Sequence, residues 1–153
     1  METPIEKHLA LVGTTGIGKT YNLYQCIKAH VPEHKILFCR SLEDLHAFNH
    51  NVHTDIIFDD ISFNLCRPEL LITLCDKDFH CTVRILRKAI RIPPSVRKWF
   101  THNNVAAYQP VLGSFEQQEA ICRRLHIQEV TDRQQLINLT NLHISRLTMG
   151  SQE

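Results

Sequence analysis

The chain has 153 residues, 43% apolar and 22% charged, with a formal net charge of +1, ordinary values for one globular domain. No apolar run exceeds about four residues (Leu9-Ala10-Leu11-Val12; Ile36 to Cys39), against the ~20 of a membrane-spanning helix, which excludes such a span. The acidic start Met1-Glu2-Thr3-Pro4-Ile5-Glu6 lacks the basic end and apolar stretch of a secretory signal, so an intracellular, reducing location is expected. The six cysteines (Cys26, Cys39, Cys66, Cys75, Cys81, Cys122) form no C-x-x-C pair and read as small buried apolar residues. Charge is unevenly spread: residues 1–78 carry 7 Lys/Arg against 11 Asp/Glu, and residues 79–153 carry 10 against 5. The polarity suggests a cation-binding half and an anion-binding half, without naming the anion.

In chain order, His8-Leu9-Ala10-Leu11-Val12 reads as a buried strand stopped by Gly13. Gly13-Thr14-Thr15-Gly16-Ile17-Gly18-Lys19-Thr20 matches G-x-x-x-x-G-K-[ST], and Tyr21 to Ala29 carries Leu23, Tyr24 and Ile27 at helical spacing. A second strand is expected at Lys35 to Cys39. A short helix follows at Ser41 to Phe48, with Ser41 and Asp44 at capping-box spacing. Thr54 to Asp60 is a third strand, ending in two carboxylates, and Pro68 opens a helix through Leu74. From Phe79 to Phe115 there is no acidic residue but six basic ones, Arg84, Arg87, Lys88, Arg91, Arg97 and Lys98. Alternation from His80 to Ile92, stopped by Pro93-Pro94, predicts a basic β-hairpin. Val96 to Thr101 is a further strand leading into His102-Asn103-Asn104, and helices are expected at Phe115 to Leu125 and Arg133 to Leu147, with 126–153 a helical tail. Strands alternating with helices predict one three-layer α/β domain, residues 1–153, with a mainly parallel sheet.

The glycine loop is the strongest signal. Glycines let successive backbone N–H groups curl around phosphate oxygens, and the following helix adds its positive end. Lys19 reaches the β/γ-phosphates and the Thr20 hydroxyl can ligate Mg²⁺. By average composition so complete a match arises by chance in under roughly 1% of chains this long. Phosphoryl transfer also needs a carboxylate for the metal and a group that orients the attacking water. Asp59 is assigned to the metal and Asp60 to the water, with the reverse as the alternative.

With these residues in place, the chain resembles superfamily 3 helicases. The resemblance rests on the glycine loop at Gly13 to Thr20, the carboxylate-ended Ile56-Ile57-Phe58-Asp59-Asp60, the stretch Leu70 to Asp76 followed by a basic segment, and Phe100-Thr101-His102-Asn103, each about forty residues from the next. It is most similar to the helicase domain of the replication-initiator (Rep) proteins of circoviruses and other circular single-stranded DNA viruses, and the similarity runs from about Lys7 to Gln128. It implies an AAA+-like P-loop NTPase fold with a mainly parallel five-stranded sheet and a basic hairpin insertion. It also implies an ATP- and Mg²⁺-dependent helicase acting on single-stranded DNA as a ring, hexameric in this family, without a membrane partner, and in the host nucleus. Asn103 takes the place of a polar sensor that positions the attacking water, with Asn104 as its substitute. Arg123 and Arg124 match an arginine pair that enters the neighbouring subunit's site. Arg84, Arg87, Lys88 and Arg91 stand where a pore-lining hairpin grips the phosphate backbone, although Arg87-Lys88-Ala89 replaces the family's Lys-Gly-Gly tip.

Full-length Rep proteins begin with a nicking endonuclease carrying a His-hydrophobic-His motif. These residues hold no His-x-His, so either an excised domain or a stand-alone relative is expected. The spacings His46/His50/His53 and Cys75/His80/Cys81 are too loose for a zinc site. Three other functions are weighed: a nucleotide-switched DNA-binding module or helicase loader with little turnover, the related ATPase of a positive-strand RNA virus, and a small-molecule kinase, for which neither the Asn103 motif nor the hairpin would be needed.

Overall fold

The computed structural model describes residues 7–14, 16–109 and 114–151, the side chains of 148–151 excepted. Five strands, β1 (His8–Val12), β2 (Ile36–Cys39), β3 (Asp55–Asp59), β6 (Arg97–His102) and β7 (Leu125–Glu129), form an all-parallel sheet in the order β2-β3-β6-β1-β7. Two more, β4 (Cys81–Ile85) and β5 (Lys88–Ile92), make a separate antiparallel hairpin. The helices are α1 (Lys19–Lys28), α2 (Pro68–Leu74), α3 (Phe115–Arg124) and α4 (Arg133–Ser151).

Because strand side chains alternate, each central strand feeds two cores. Leu9, Leu11, Ile57 and Trp99 pack against Leu23 and Ile27 of α1 and Leu136 and Ile144 of α4. Ala10, Val12, Ile56, Phe58 and Phe100 pack against Leu71 and Leu74 of α2, Ile121 of α3 and the inner face of the hairpin. The result is the three-layer α/β arrangement expected from the alternation of elements. A stack of aromatic rings under one end of the sheet sets the ends of β3 and β6: Phe58 and Phe100 lie 4.9 Å apart and nearly parallel, flanked by Phe63 and Tyr108. Each of those buried rings contributes about 1.5–3 kcal/mol, and together they fix the residues that follow, Asp59 and Thr101.

Several boundaries differ from expectation. The helix expected through Leu125 stops at Arg124, and Leu125 instead opens β7, so the helical tail expected from 126 begins only at Arg133. Leu125-His126-Ile127 alternates, and β1 offers it a partner along its whole length (His8↔Leu125 to Val12↔Glu129), so pairing overrides the helical continuation. The segment after Ser41 is a 3₁₀-helix, Leu42–Ala47, in which the Asp44 carboxylate accepts the N–H groups of Arg40 and Ser41. The expected uniform burial of the cysteines holds for Cys39, Cys75 and Cys81 only; Cys26 and Cys66 are half-buried and Cys122 is exposed. Burial pushes the Cys39 and Cys75 thiols up to about 12, so they stay protonated.

Two basic residues of the acid-free segment belong to the fold. Lys98 is buried, and its ammonium donates to the Leu74 carbonyl at the end of α2 and to Asp76 O at 3.4 Å. Arg97 grips Asp55 in a bidentate pair at 2.8 and 3.0 Å, and this fully buried carboxylate also accepts from Trp99 Nε1 (2.9 Å) and Thr54 Oγ1 (2.7 Å).

Candidate functional site

At the carboxyl ends of parallel strands the backbone turns away and leaves a crevice, most open where chain connections leave in opposite directions. Here β1 connects onward to β2 at one edge, while β7 closes on its other side. The cleft at this point, about 280 Å³, is lined by Gly16, Gly18, Lys19, Thr20, Tyr21, Asp59, Asp60, Thr101, His102 and Asn103, drawn from the loop after β1, the start of α1 and the ends of β3 and β6.

The glycine loop is shaped for that position. Gly18 caps α1 with φ +68°, and a Cβ there would also lie 2.7 Å from Asn22 Nδ2, which donates to Gly18 O at 2.7 Å. Gly13 is pressed against the strand end: a Cβ would stand 2.5 Å from Val130 O. The first turn of α1 carries no acidic side chain, its residues Lys19, Thr20 and Tyr21 line the cleft, and a helix start leaves its first N–H groups without intrahelical partners. Of the eight loop residues expected to hold phosphate, Gly16, Gly18, Lys19 and Thr20 line the cleft. Ile17 packs into the core beneath, and Thr14 is exposed but turns its carbonyl to Lys19. Thr15 lies outside the described residues.

Lys19 is 8% exposed, with Nζ donating to Asn103 Oδ1 at 2.7 Å and to Thr14 O at 3.2 Å. Burial pulls its pKa down, only partly countered by Asp60 and Asp59. The ammonium is thus held in place without a direct carboxylate partner. Thr20 Oγ1 donates to Asp59 Oδ1 at 2.6 Å, and Thr101 Oγ1 donates to the same oxygen at 2.9 Å. A hydroxyl and a carboxylate oxygen aimed at each other are hard ligands of the kind Mg²⁺ takes from protein while phosphate and water fill its other positions. Thr20 and Asp59 therefore fit that ion.

Asp60 continues the ladder, its N–H donating to Thr101 O at 2.8 Å, and then turns the chain out at φ +57°. Its carboxylate is 60% exposed and lies 3.5 Å from His102 Nε2. His102 Nδ1 accepts the Asn104 N–H (3.1 Å), so in the neutral ring the proton sits on Nε2, facing Asp60 and Ser62 Oγ. Asn104, the substitute considered for Asn103, is the N-cap of the next 3₁₀ turn: its Oδ1 accepts the Ala106 N–H at 2.9 Å.

Sequence reasoning missed Thr101, His102 and Tyr21 as site residues. Thr101 reaches Asp59 only because the two face each other in register across β3 and β6, which needs the strand order. Tyr21 had a signal: it follows Thr20 in the first helical turn, and it stands 66% exposed at the mouth.

The remaining expected site residues lie elsewhere. Arg124 Nη1 donates to Ala120 O of its own helix at 2.9 Å, while Arg123 is exposed beside a second cleft. Leu125 pairs with His8 at the start of β1, so the arginine pair sits at the opposite end of the strands from the glycine loop, about 13 Å of strand away. On the hairpin, Thr82↔Arg91 and Arg84↔Ala89 share the outer face, which puts Arg84 and Arg91 side by side there on a diagonal. Arg87 is at the tip. Lys88 is opposite the buried Ile85 on the inner face, and its ammonium donates to His46 O at 3.0 Å, tying the hairpin to Leu42–Ala47.

Among the described residues no three His, Cys, Asp or Glu side chains converge as a metal group: His46 is bonded to Ile85 O and His53 stacks on Phe48. Among the same residues no helix is long and apolar enough to cross a membrane. Compared with models of known protein families and with curated proteins, the chain matches none.

Proposed function

We propose that this chain is a P-loop ATPase that drives movement on single-stranded DNA, assembled as a ring. The observation that carries the reading is the convergence of Lys19, Thr20, Asp59 and Asn103, from three separated segments, on one cleft at the amino end of α1.

In this reading the α1 N–H groups and Lys19 receive the phosphates. Lys19 exchanges its Asn103 and Thr14 acceptors for β/γ-oxygens, so the incoming phosphates replace hydrogen bonds that already hold the ammonium in place. Thr20 and Asp59 would hold Mg²⁺, which when bound neutralises charge developing on the phosphates. Asp59 accepts from Thr101, which leaves its second oxygen free. Asp60 is exposed and therefore open to water, and it accepts the attacking water's proton with His102 Nε2 at its back. Asn103, freed from Lys19, orients that water. Arg123 or Arg124 completes a neighbour's site, both lying about 13 Å of strand from the glycine loop of their own chain. Arg84, Arg87 and Arg91 hold the DNA backbone, with Lys88 anchoring the hairpin behind them.

The test is ATP hydrolysis against protein concentration, with and without single-stranded DNA, beside a Lys19→Ala control. Turnover per subunit that rises with concentration and DNA and vanishes in the control is expected. Tight ATP binding without turnover under every condition would overturn the motor reading in favour of a nucleotide switch.

A further inference from the structure

At the other end of the strands lies a second cleft of about 320 Å³ lined, among the described residues, by basic side chains: Lys7, Lys77, Arg123, His126, His143 and Arg146. These six come from five places, the residue before β1, the loop after α2, the end of α3, the start of β7 and α4, so their convergence is tertiary and not the solvated face of one helix. Among the described residues no carboxylate lines the cleft and none lies within ion-pair distance of Lys7, Arg123 or Arg146. Lys77 has only the exposed Asp78, at 3.5 Å.

Helix ends commonly carry arginine to offset the carbonyl dipole, and the pair at the end of α3 divides on this point. Arg124 donates to its own helix, whereas Arg123 turns into the cleft. Burial leads the downward shift of the two buried histidines here, with neighbouring basic groups adding to it. His143 is pushed down to about 4 by burial, then by His126 and Arg146; His8 behind it is pushed to about 3 by burial, then chiefly by Lys98 and His143. Lys7, Arg123 and Arg146 are exposed around the buried His143, so their charges face one concavity from several sides, and a multiply charged anion seated there offsets their mutual repulsion.

We propose that this cleft is a second site for linked phosphate groups, separate from the glycine-loop cleft. The volume suits two or more phosphates joined through oxygen, a chemistry shared by a free polyphosphate or nucleotide and by a nucleic-acid backbone. Arginine forks and lysine point charges are the donors such oxyanions take, and no metal ion is needed where four permanent cations converge.

The test uses the full chain carrying Lys19→Ala, which removes the main cation of the glycine-loop cleft, so this proposal and the ATPase reading fail separately. Calorimetric titration with inorganic pyrophosphate is expected to show saturable one-to-one binding. Lys77→Gln and Arg146→Gln, on that background, each weaken it about fivefold or more, and circular dichroism checks that the variants stay folded. Displacement of pyrophosphate by a thymidine oligonucleotide identifies the backbone as the source; pyrophosphate binding unmoved by the oligonucleotide identifies a free polyphosphate. No saturable binding, or binding that both charge variants leave unchanged while folded, would overturn the proposal.

Discussion

Lys19→Met should move nucleotide affinity and stability in opposite directions. With Nζ about 4 Å from a phosphate oxygen and an effective dielectric near 20, each unit of phosphate charge is worth roughly 4 kcal/mol of gross attraction. Giving up Asn103 and Thr14 takes back part of it, so a net loss of about 2–3 kcal/mol is expected, some 30- to 150-fold in the dissociation constant of a fluorescent ATP analogue read by anisotropy. In the free protein the same side chain is a buried cation whose pKa is lowered by burial. A base held below its unfolded value binds fewer protons when folded, so the native state gains stability as pH rises toward the unfolded value of about 10.4. Methionine removes that dependence while filling the same space. The variant should therefore be more stable than its parent at pH 7 in urea unfolding, with the gap narrowing at pH 9 and 10. Unchanged nucleotide affinity in the folded variant would refute the phosphate role. A less stable variant at pH 7 would show that the two hydrogen bonds of Lys19 outweigh the cost of its burial.

Other perturbations separate the fold from the site. Asp55→Ala leaves Trp99 Nε1 buried without an acceptor, while Arg97, one-third exposed, recovers water; about 3 kcal/mol of stability should be lost at constant m, and a loss under about 1 kcal/mol would show the network to be dispensable. His143→Phe keeps the ring edge-on to Trp99 but removes a group that stays neutral down to about pH 4. The unfolded chain takes up that proton below about pH 6.5, so wild-type stability falls as pH drops from 6.5 to 4, and the variant's urea midpoint should fall less steeply. Identical slopes would show that His143 is not the titrating group. Arg84→Gln/Arg91→Gln should cut affinity for single-stranded DNA and lower the magnitude of its salt slope by about 1.4, while Lys88→Gln, already tied to His46 O, should change that slope little. Equal effects would remove the distinction between the two hairpin faces. Arg87→Gly relieves one of two non-glycine left-handed residues at the tip, Leu86 (φ +47°) and Arg87 (φ +70°), and should stabilise the chain by about 1 kcal/mol while weakening DNA binding; destabilisation would mean the Arg87 side chain packs there.

What could be read from the sequence was what is local. The glycine loop, the Pro68 start of α2, the hairpin and the strand ending in Asp59 each announce themselves within ten residues, and each is found within a residue or two of its expected place. What escaped depends on pairing between distant segments. Strand β7 exists because the flank of β1 would otherwise be open, and five alternating residues after a helix carry too little periodicity to reveal it. Asp55 and Asp59 sit at the two ends of one strand with opposite duties, the first buried in a structural ion pair and the second facing the cleft, and the string Asp-Ile-Ile-Phe-Asp does not distinguish them. Only β6 does so, because its register puts Arg97 beside Asp55 and Thr101 beside Asp59. The same register explains the basic segment: of six cations in one acid-free stretch, Arg97 and Lys98 are drawn into the sheet by partners some twenty to forty residues upstream, Lys88 is tied to His46 O, and Arg84, Arg87 and Arg91 are left outside. A run of like charge in sequence is therefore not yet a charged surface. The second cleft shows the converse, since six basic residues that no local pattern groups together line one concavity. Tertiary pairing takes charge away from one candidate surface and assembles it at another, so charge variants at the two should report on separate ligands.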